Sequence, residues 1–316
     1  MSAVLAVALP VFAVITAGFL AGRRRILSAD DVAALNRFVF RLTMPAALFG
    51  LVAGAAPLGE ETATLAGVYA LAAAAALAVG YATGRFVFSL SPAVAGAHAF
   101  ASTLGNAVFL GLPIALSIEG WAPAFVSLML VEGVFVIAVG AALMDANPNK
   151  RLTDYFLAPL RNPLVVAMLA GVAVSLARAS LAAAGAPNAI PQPIETFLSI
   201  LGRAAGPTAL VSMGLFLATT PLPPLRDVGG KVAAVFVVKM IALPAVMFVG
   251  LKLTGLVDDQ AIAGPAMLFA LVPSGVGSFV MASQYGVYAR EAAAAIAVTT
   301  AASVLTVAGV LAAYAG

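Results

Sequence analysis

Two interruptions in apolar segments are the parts of this sequence best suited to bind a solute. The first covers residues 102–113, with Asn106 inside it and Pro113 at its end, and the second covers residues 273–278. Proline removes a backbone donor, and glycine permits non-helical dihedral angles. At membrane depth a helix is interrupted only where the freed backbone groups face protein, water or a ligand, because unsatisfied groups are costly in hydrocarbon. Both segments therefore predict a transport site.

The groups that could contact the solute are the polar side chains and free backbone groups beside these interruptions. Half-helix N-termini favour anions, and exposed carbonyl oxygens favour cations. Asn106 is the direct contact we expect first, and Pro113 would keep the backbone open. Alternatively, both segments could be packing kinks, since glycine and proline are commoner in membrane helices than in soluble ones. The candidate contacts are Ser102, Thr103, Gly105, Asn106, Pro113, Ser274, Gly275, Gly277 and Ser278.

Two charged residues lie deep in other apolar segments, where an ionisable group is expensive and is therefore a functional candidate. Glu132 could carry a proton at neutral pH and release it when solvated, so it predicts a proton or coupling-ion site. Lys239 could attract a carboxylate substrate. The alternative is a structural ion pair between the two residues, or a Lys239 side chain that reaches the membrane interface.

The composition indicates an all-α integral membrane protein. Of 316 residues, 63% are hydrophobic and only 9% are charged, which is too few polar side chains to cover a water-soluble globule. The net charge of +3 gives no support for nucleic-acid binding. The absence of cysteine and the single histidine exclude thiolate and multi-histidine metal centres, so no cofactor is expected beyond Na⁺ or H⁺ as a coupling ion. No convergent catalytic set is present, so an enzyme is not expected.

The apolar segments divide into ten predicted membrane spans. A spanning helix needs roughly 20 apolar residues, and the connections between these segments leave no room for a soluble domain. The ten spans cover about residues 3–22, 32–53, 63–88, 95–118, 122–144, 162–183, 194–219, 229–252, 260–284 and 289–314.

Lysine and arginine residues in the connections test this division, because cytoplasmic loops collect them. The even-numbered loops hold only Arg178 and Lys252. This distribution predicts ten spans with both termini outside. The basic residues of the odd-numbered loops are Arg23, Arg24, Arg25, Arg85, Lys150, Arg151, Arg161, Arg226, Lys231 and Arg290.

The sequence also contains two similar halves. Residues 41–48 and 203–210 share Arg, Pro, Ala and Leu at one spacing. Five crossings reverse the orientation of the next half, so the similarity predicts an inverted repeat, which is the plan of many secondary transporters. Chance similarity between alanine-rich helices is the alternative. The predicted parts are residues 1–145 for the first repeat, 146–161 for a cytoplasmic linker and 162–316 for the second repeat.

These segments resemble the auxin efflux carrier (AEC) family, which contains plant PIN auxin exporters and bacterial carriers of malonate and other small organic acids. The most specific part lies between Asn106 and Pro113. The resemblance implies ten helices in a 5+5 inverted repeat, with scaffold and transporter domains that each draw on both repeats. It further implies that the fourth and ninth helices cross at their interruptions and that transport is elevator-like. The matching segments are residues 35–46, 105–113, 161–164 and 272–285.

The resemblance leaves the substrate open, because it permits malonate, malate, lactate or an auxin-like aromatic acid, and either direction of transport. Glu132 lies where plant members use a glutamine beside the auxin. Gly277 and Ser278 stand where plant members have a proline in the second crossing. That crossing could therefore be looser here, or Ser278 could bind solute or ion directly.

Other mechanisms and assemblies stay open at this point. A sodium-coupled symporter of the bile-acid type shares the ten-helix crossing architecture. A channel would also have polar interruptions, although an inverted repeat favours alternating access. The small size and the short central loop suit a multi-pass protein of a bacterial inner membrane, embedded in the lipid bilayer. A homodimer is one assembly that the sequence leaves open.

Overall fold

The regular secondary structure of the described residues is helical. The computed structural model describes residues 2–54, 60–116, 118–145, 162–183, 190–219 and 225–315. Within these ranges the one extended contact is an isolated antiparallel bridge between Gly105 and Ser274. The predicted all-α class is therefore confirmed, whereas the predicted linker at 146–161 lies outside the described residues.

The described part of the first half forms eight α-helices in chain order. They are α1 (Ser2–Arg23), α2 (Ala29–Phe38), α3 (Met44–Gly54), α4 (Glu60–Ala82), α5 (Pro92–Ala101), α6 (Leu112–Leu116), α7 (Trp121–Val131) and α8 (Ile137–Met144).

The described part of the second half also forms eight α-helices. They are α9 (Pro163–Ala183), α10 (Gln192–Arg203), α11 (Ala205–Thr219), α12 (Leu225–Val237), α13 (Leu243–Leu253), α14 (Gln260–Leu271), α15 (Val276–Gln284) and α16 (Ala289–Tyr314).

Seven continuous helical stretches in the described residues are long and apolar enough to cross a membrane, so the chain is a multi-pass membrane protein. They match seven of the ten predicted spans, and α1 covers the first. The fourth predicted span holds α5 and α6, and the ninth holds α14 and α15. Each of these four helices is shorter than a membrane crossing requires. The seven stretches are Ala29–Gly54, Glu60–Val87, Trp121–Met144, Pro163–Ser180, Gln192–Thr219, Val228–Leu253 and Ala289–Tyr314.

Single π-helical turns occur at proline positions in three of the membrane segments. The turns Val39–Thr43, Ala107–Gly111 and Val238–Ala242 each end two residues before a proline. The proline ring clashes with the carbonyl four residues earlier and removes one helical hydrogen bond, so the turn widens there. Pro113 thus follows a widened turn at the second residue of α6. Two further turns, Thr83–Val87 and Glu132–Val136, have no proline at this position.

The helices form two packing groups. In the first packing group α1 lies along α11, and α3 packs against α9 and α10, with α2 against α11. The second packing group contains α4–α8 and α12–α16, in which α4 packs against α5 and α13 while α14 packs against α7 and α16. Contacts of α15 with α2 and α11 join the two groups. The helices on either side of both interruptions, which are α5, α6, α14 and α15, belong to the second packing group.

Small residues permit a very close contact between α1 and α11. A β-carbon at Gly18 would overlap the carbonyl oxygen of Val211, and one at Gly214 would overlap the carbonyl oxygen of Ile15. Without a hydrophobic driving force in lipid, such backbone-to-backbone packing is what holds membrane helices together. This pair therefore forms the tightest described contact of the first packing group.

Candidate functional site: the paired interruptions

The two predicted interruptions lie side by side and pair through their backbones. Asn106 N–H donates to the carbonyl oxygen of Pro273 at 2.8 Å, and Gly275 N–H donates to that of Leu104 at 2.9 Å. Gly105 and Ser274 face each other between these two bonds. Each segment thus satisfies backbone groups that the other leaves free, which is the condition for non-helical chain at membrane depth.

Glycine is required where the two segments touch. A β-carbon at Gly275 would lie 2.5 Å from the carbonyl oxygen of Gly105, which is backbone and cannot move aside. A β-carbon at Gly105 would meet the Cγ2 atom of Val272 at 2.8 Å, which is a side chain. Glycine is therefore more strictly required at Gly275, in the second segment, than at Gly105 in the first.

The predicted hydroxyl groups are buried and mostly complete the helix ends. Each donates to a backbone carbonyl, as Ser and Thr commonly do in helices. The Ser274 bond joins the second interruption to the end of α5 and so adds to the pairing. The bonds are Ser102 to His98 at 2.8 Å, Thr103 to Ala99 at 3.0 Å, Ser274 to Ala101 at 2.9 Å and Ser278 to Gly275 at 2.8 Å.

Glu132 holds the first interruption from the side. Its Oε1 atom accepts the Gly105 N–H at 2.7 Å and the Tyr69 hydroxyl at 2.9 Å. Only 5% of the Glu132 surface is exposed, so both bonds lie in a low-dielectric interior where charge-assisted bonds are strong. Whether this carboxyl group also carries a coupling proton stays a prediction.

Lys239 approaches the same place from α12 and α13. Its Nζ atom donates to the Ala270 carbonyl oxygen at 2.8 Å, in the last turn of α14. The ammonium group therefore sits at the C-terminal, negative end of the half-helix that leads into the second interruption. The Gly105 β-carbon position is 3.7 Å from this Nζ and 3.3 Å from Oε1 of Glu132, so both charged groups lie beside the first interruption. The predicted contact of Lys239 with a carboxylate substrate stays a prediction.

The second interruption is held by a different group. Ser274 N–H donates to the Thr299 hydroxyl oxygen at 3.1 Å, in the middle of α16. Thr299 and Tyr69 were not among the predicted site residues. Both are polar and lie inside alanine-rich spans, which is the sequence signal that could have identified them.

A small cavity lies beside the paired interruptions, between the two packing groups. Its volume is about 40 Å³, and Asn106 and Glu132 supply its polar side chains. In the described part of the chain the Asn106 amide makes no side-chain hydrogen bond although Asn106 is only 3% exposed. The first residues of the turn Ala107–Gly111 and of α15 reach the same cavity, so helix N-termini from both interruptions meet there. The apolar wall includes Met44 and Leu48 of α3.

A second, larger opening, the wide cleft, lies next to this cavity. Its volume is about 690 Å³, and it lies between α3, α10 and the segment after the first interruption. Leu51 and Val108 belong to the walls of both spaces. Arg203, and the ion pair of Arg178 with Glu195 at 3.2 Å, also line the wide cleft.

A third opening, the Arg37 cleft, lies at the opposite ends of the helices. Its volume is about 530 Å³, and α2, α11 and the end of α15 form its walls. Asn36 in this wall accepts the Ser212 hydroxyl at 2.7 Å, a bond that fixes α2 to α11. The paired interruptions thus lie between two openings, one toward each end of the helices.

His98 belongs to a separate buried cluster. Its Nδ1 atom is 2.6 Å from the Tyr288 hydroxyl, and its Nε2 atom is 3.3 Å from the Thr83 hydroxyl. It lies in the last turn of α5. Nearby, Lys231 and Glu291 form an ion pair at 3.1 Å. This cluster joins α5, α12 and α16 and does not line the central cavity.

Comparisons with known proteins identify the family of this chain. The family model described as "Membrane transport protein" matches residues 3–154 and 147–311. A protein of Rhizobium meliloti (strain 1021) named "Putative malonate transporter" is 31% identical, over 98% of this chain and 96% of that protein. An uncharacterized transporter of Methanocaldococcus jannaschii is 26% identical, over 96% of both chains. These are transporters and not enzymes, and the chain belongs to the membrane transport protein family, the auxin efflux carrier family that its sequence resembles.

Proposed function

We propose that this protein is a secondary active transporter of small organic anions and that the anion binds at the paired interruptions. The observation that carries the proposal is that two helix N-termini and the unpaired Asn106 amide meet at one small cavity. Free N–H groups at a helix N-terminus and the positive end of the helix dipole both favour an anion. The Asn106 amide adds further donors.

The size of the cavity favours a short acid. A volume of about 40 Å³ holds only a few water-sized groups. This suits a short aliphatic mono- or dicarboxylate better than an auxin-like aromatic acid. Malonate is therefore the first substrate to test, and a relative carries that substrate in its name. The cavity surface is otherwise apolar, which would favour exclusion of bulk water from the bound anion.

The transport cycle we propose is an elevator-type alternation. The first packing group would act as the scaffold and the second packing group as the transporter domain. The backbone bonds of the two interruptions support a 5+5 inverted repeat, because Asn106 to Pro273 and Gly275 to Leu104 are equivalent under a two-fold exchange. Openings toward both ends of the helices support access from each side in turn. We further propose a bacterial inner-membrane location with both termini outside.

Glu132 is the residue to which we assign coupling to an ion. A buried carboxylate beside the cavity could exchange a proton, or help to bind Na⁺, as the solute arrives. Dependence on Na⁺ would instead favour a symporter of the bile-acid type. Proteoliposome uptake measured at constant pH, with sodium replaced by choline, separates these two mechanisms.

The decisive experiment combines binding and counterflow. We expect malonate, among a set that includes lactate and indole-3-acetate, to raise the melting temperature of the purified protein and to support saturable counterflow in proteoliposomes. Asn106→Ala should lower the malonate affinity at least tenfold, because it removes the free amide donors, with little change in the melting temperature without ligand. Conductance without counterflow, or the same malonate affinity in Asn106→Ala, would overturn the proposal.

A further inference from the structure

Arg203 is an exposed charged residue in the wall of the wide cleft. It is the last residue of α10, within the apolar stretch Gln192–Thr219. Gly202, beside it, packs closely on the backbone of Ala47. A β-carbon added at Gly202 would lie 2.8 Å from the Ala47 Cα atom, so this contact fixes the end of α10 against α3.

The charge of Arg203 is not neutralised by a partner in the described residues. The other ionic groups in the cleft wall, Arg178 and Glu195, pair with each other at 3.2 Å, and Arg178 also donates to the Ala53 carbonyl oxygen at 3.2 Å. The remaining wall is mainly apolar. A lone cation within an apolar stretch is expensive unless it faces water or an anion. The described wall of the wide cleft therefore carries one net positive charge, that of Arg203, which is a candidate for anion binding.

Arg203 lines the opening that lies next to the central cavity. Leu51 and Val108 separate the wide cleft from the cavity, and Arg203 shares the cleft with both. An anion held by Arg203 would therefore occupy the opening that borders the central cavity. Planar guanidinium groups bind carboxylates through two parallel hydrogen bonds, which gives the site a preferred ligand chemistry.

We propose that Arg203 forms a second carboxylate-binding site, in which an organic anion pauses in the wide cleft before or after it occupies the cavity. This inference rests on the proposed function, because it assigns the pausing anion to the transported class. An anionic lipid headgroup has the same chemistry and could reach the cleft from the bilayer. The experiment must therefore distinguish a soluble carboxylate from a lipid phosphate.

The native chain contains no cysteine, so a single reporter can measure the charge of the cleft. Ser199 is exposed, lines the wide cleft and lies one helical turn before Arg203. We would label Ser199→Cys in phosphatidylcholine liposomes with a negatively and a positively charged methanethiosulfonate reagent. Arg203→Gln should lower the ratio of the negative to the positive labelling rate about three- to tenfold, because it removes a nearby unit charge. Arg203→Lys should retain the ratio.

A matched control removes the same charge elsewhere. Arg24→Gln, at the exposed end of α1 and outside the cleft walls, should leave the labelling ratio unchanged. Excess malonate should slow the labelling of Ser199→Cys when Arg203 is present and not in Arg203→Gln. Equal ratios with and without Arg203, or equal protection by malonate, would overturn the inference. A charge effect that requires phosphatidylglycerol in the liposomes would also overturn it, since the ligand would then be a lipid headgroup.

A transport measurement separates this inference from the proposed function. In proteoliposomes Arg203→Gln should raise KM for malonate from the wide-cleft side about threefold or more and leave the maximal rate nearly unchanged. If Asn106→Ala loses malonate binding while Arg203→Gln changes neither KM nor labelling, the second site is wrong and the central site stands. If no organic acid binds the unmodified protein, the proposed function fails, and the labelling ratio still reports whether Arg203 attracts anions.

Discussion

The two interruptions are held in place by different chemistry. The Gly105 N–H of the first donates to a buried carboxylate, Glu132, which also accepts the Tyr69 hydroxyl. The Ser274 N–H of the second donates to a neutral hydroxyl, Thr299. Within the first arrangement Lys239 supplies a positive charge that is bonded to the end of α14. The two interruptions thus share one backbone pairing but differ in the charge of the side chains that hold them.

This difference shows where the structure depends on charge. A buried ionic arrangement carries a large desolvation penalty that its hydrogen bonds must offset, whereas a neutral hydroxyl carries little. The first interruption should therefore respond strongly to the loss of one charge, and the second should respond only as one hydrogen bond does. The charged half is also the half in which a coupling proton could act.

The largest effect is expected for removal of the carboxylate alone. Glu132→Leu leaves the Gly105 N–H unpaired and Lys239 without its counter-charge, so we expect a loss of about 3–5 kcal/mol in stability. Thermal unfolding of the purified protein measures it as a large decrease in melting temperature. The double variant Glu132→Leu with Lys239→Met should recover most of that loss, because no uncompensated buried charge remains. If Glu132→Leu alone melts within error of the unmodified protein, the buried charges do not contribute to stability.

The next effect concerns the contact between the segments. Gly275→Ala places a β-carbon against the Gly105 carbonyl and must force the two backbones apart, so we expect a loss of about 3 kcal/mol. Gly105→Ala meets the movable Val272 side chain and should cost less. Gly309→Ala in α16 is the control, because a β-carbon there meets nothing within 4 Å. Melting temperatures of the three variants rank these effects, and an equal loss in Gly105→Ala and Gly275→Ala would contradict the stricter requirement at the second segment.

The smallest effect is expected on the neutral side. Thr299→Val keeps the shape but leaves the Ser274 N–H without an acceptor, so we expect a loss of about 1–2 kcal/mol. Thr299→Ser retains the hydroxyl group and should stay near the unmodified protein. If Thr299→Val lowers the melting temperature as much as Glu132→Leu, the proposed electrostatic difference between the halves is wrong.

The sequence located the interruptions but not the bonds that join them. Proline and glycine act on their own backbone, so residues 102–113 and 273–278 could be recognised from local chemistry alone. The pairing of Gly105 with Ser274 joins segments far apart in the chain, and no local pattern encodes its register. In the same way, the depth of Glu132 marked it as functional, whereas its partner Tyr69 depends on how two distant spans pack.

The predicted division into ten spans is confirmed only in part. Seven helical stretches in the described residues are long and apolar enough to cross a membrane, whereas the ten-span count and the broken fourth and ninth spans stay predictions. The wide cleft could not be predicted, because its walls come from helices of both packing groups. The sequence places Arg203 only near the outer start of the seventh span, because its lack of an ionic partner depends on how distant helices pack.

The wall between the cavity and the wide cleft has a kinetic consequence. Leu51 and Val108 form the shared boundary, so this barrier is one side chain thick, whereas the Arg37 cleft has no described lining residue in common with the cavity. Side-chain rotations take picoseconds to nanoseconds, but movements of whole helix groups take microseconds to milliseconds. Exchange between cavity and wide cleft should therefore be far faster than exchange toward the other side, and the slow side should set the turnover rate.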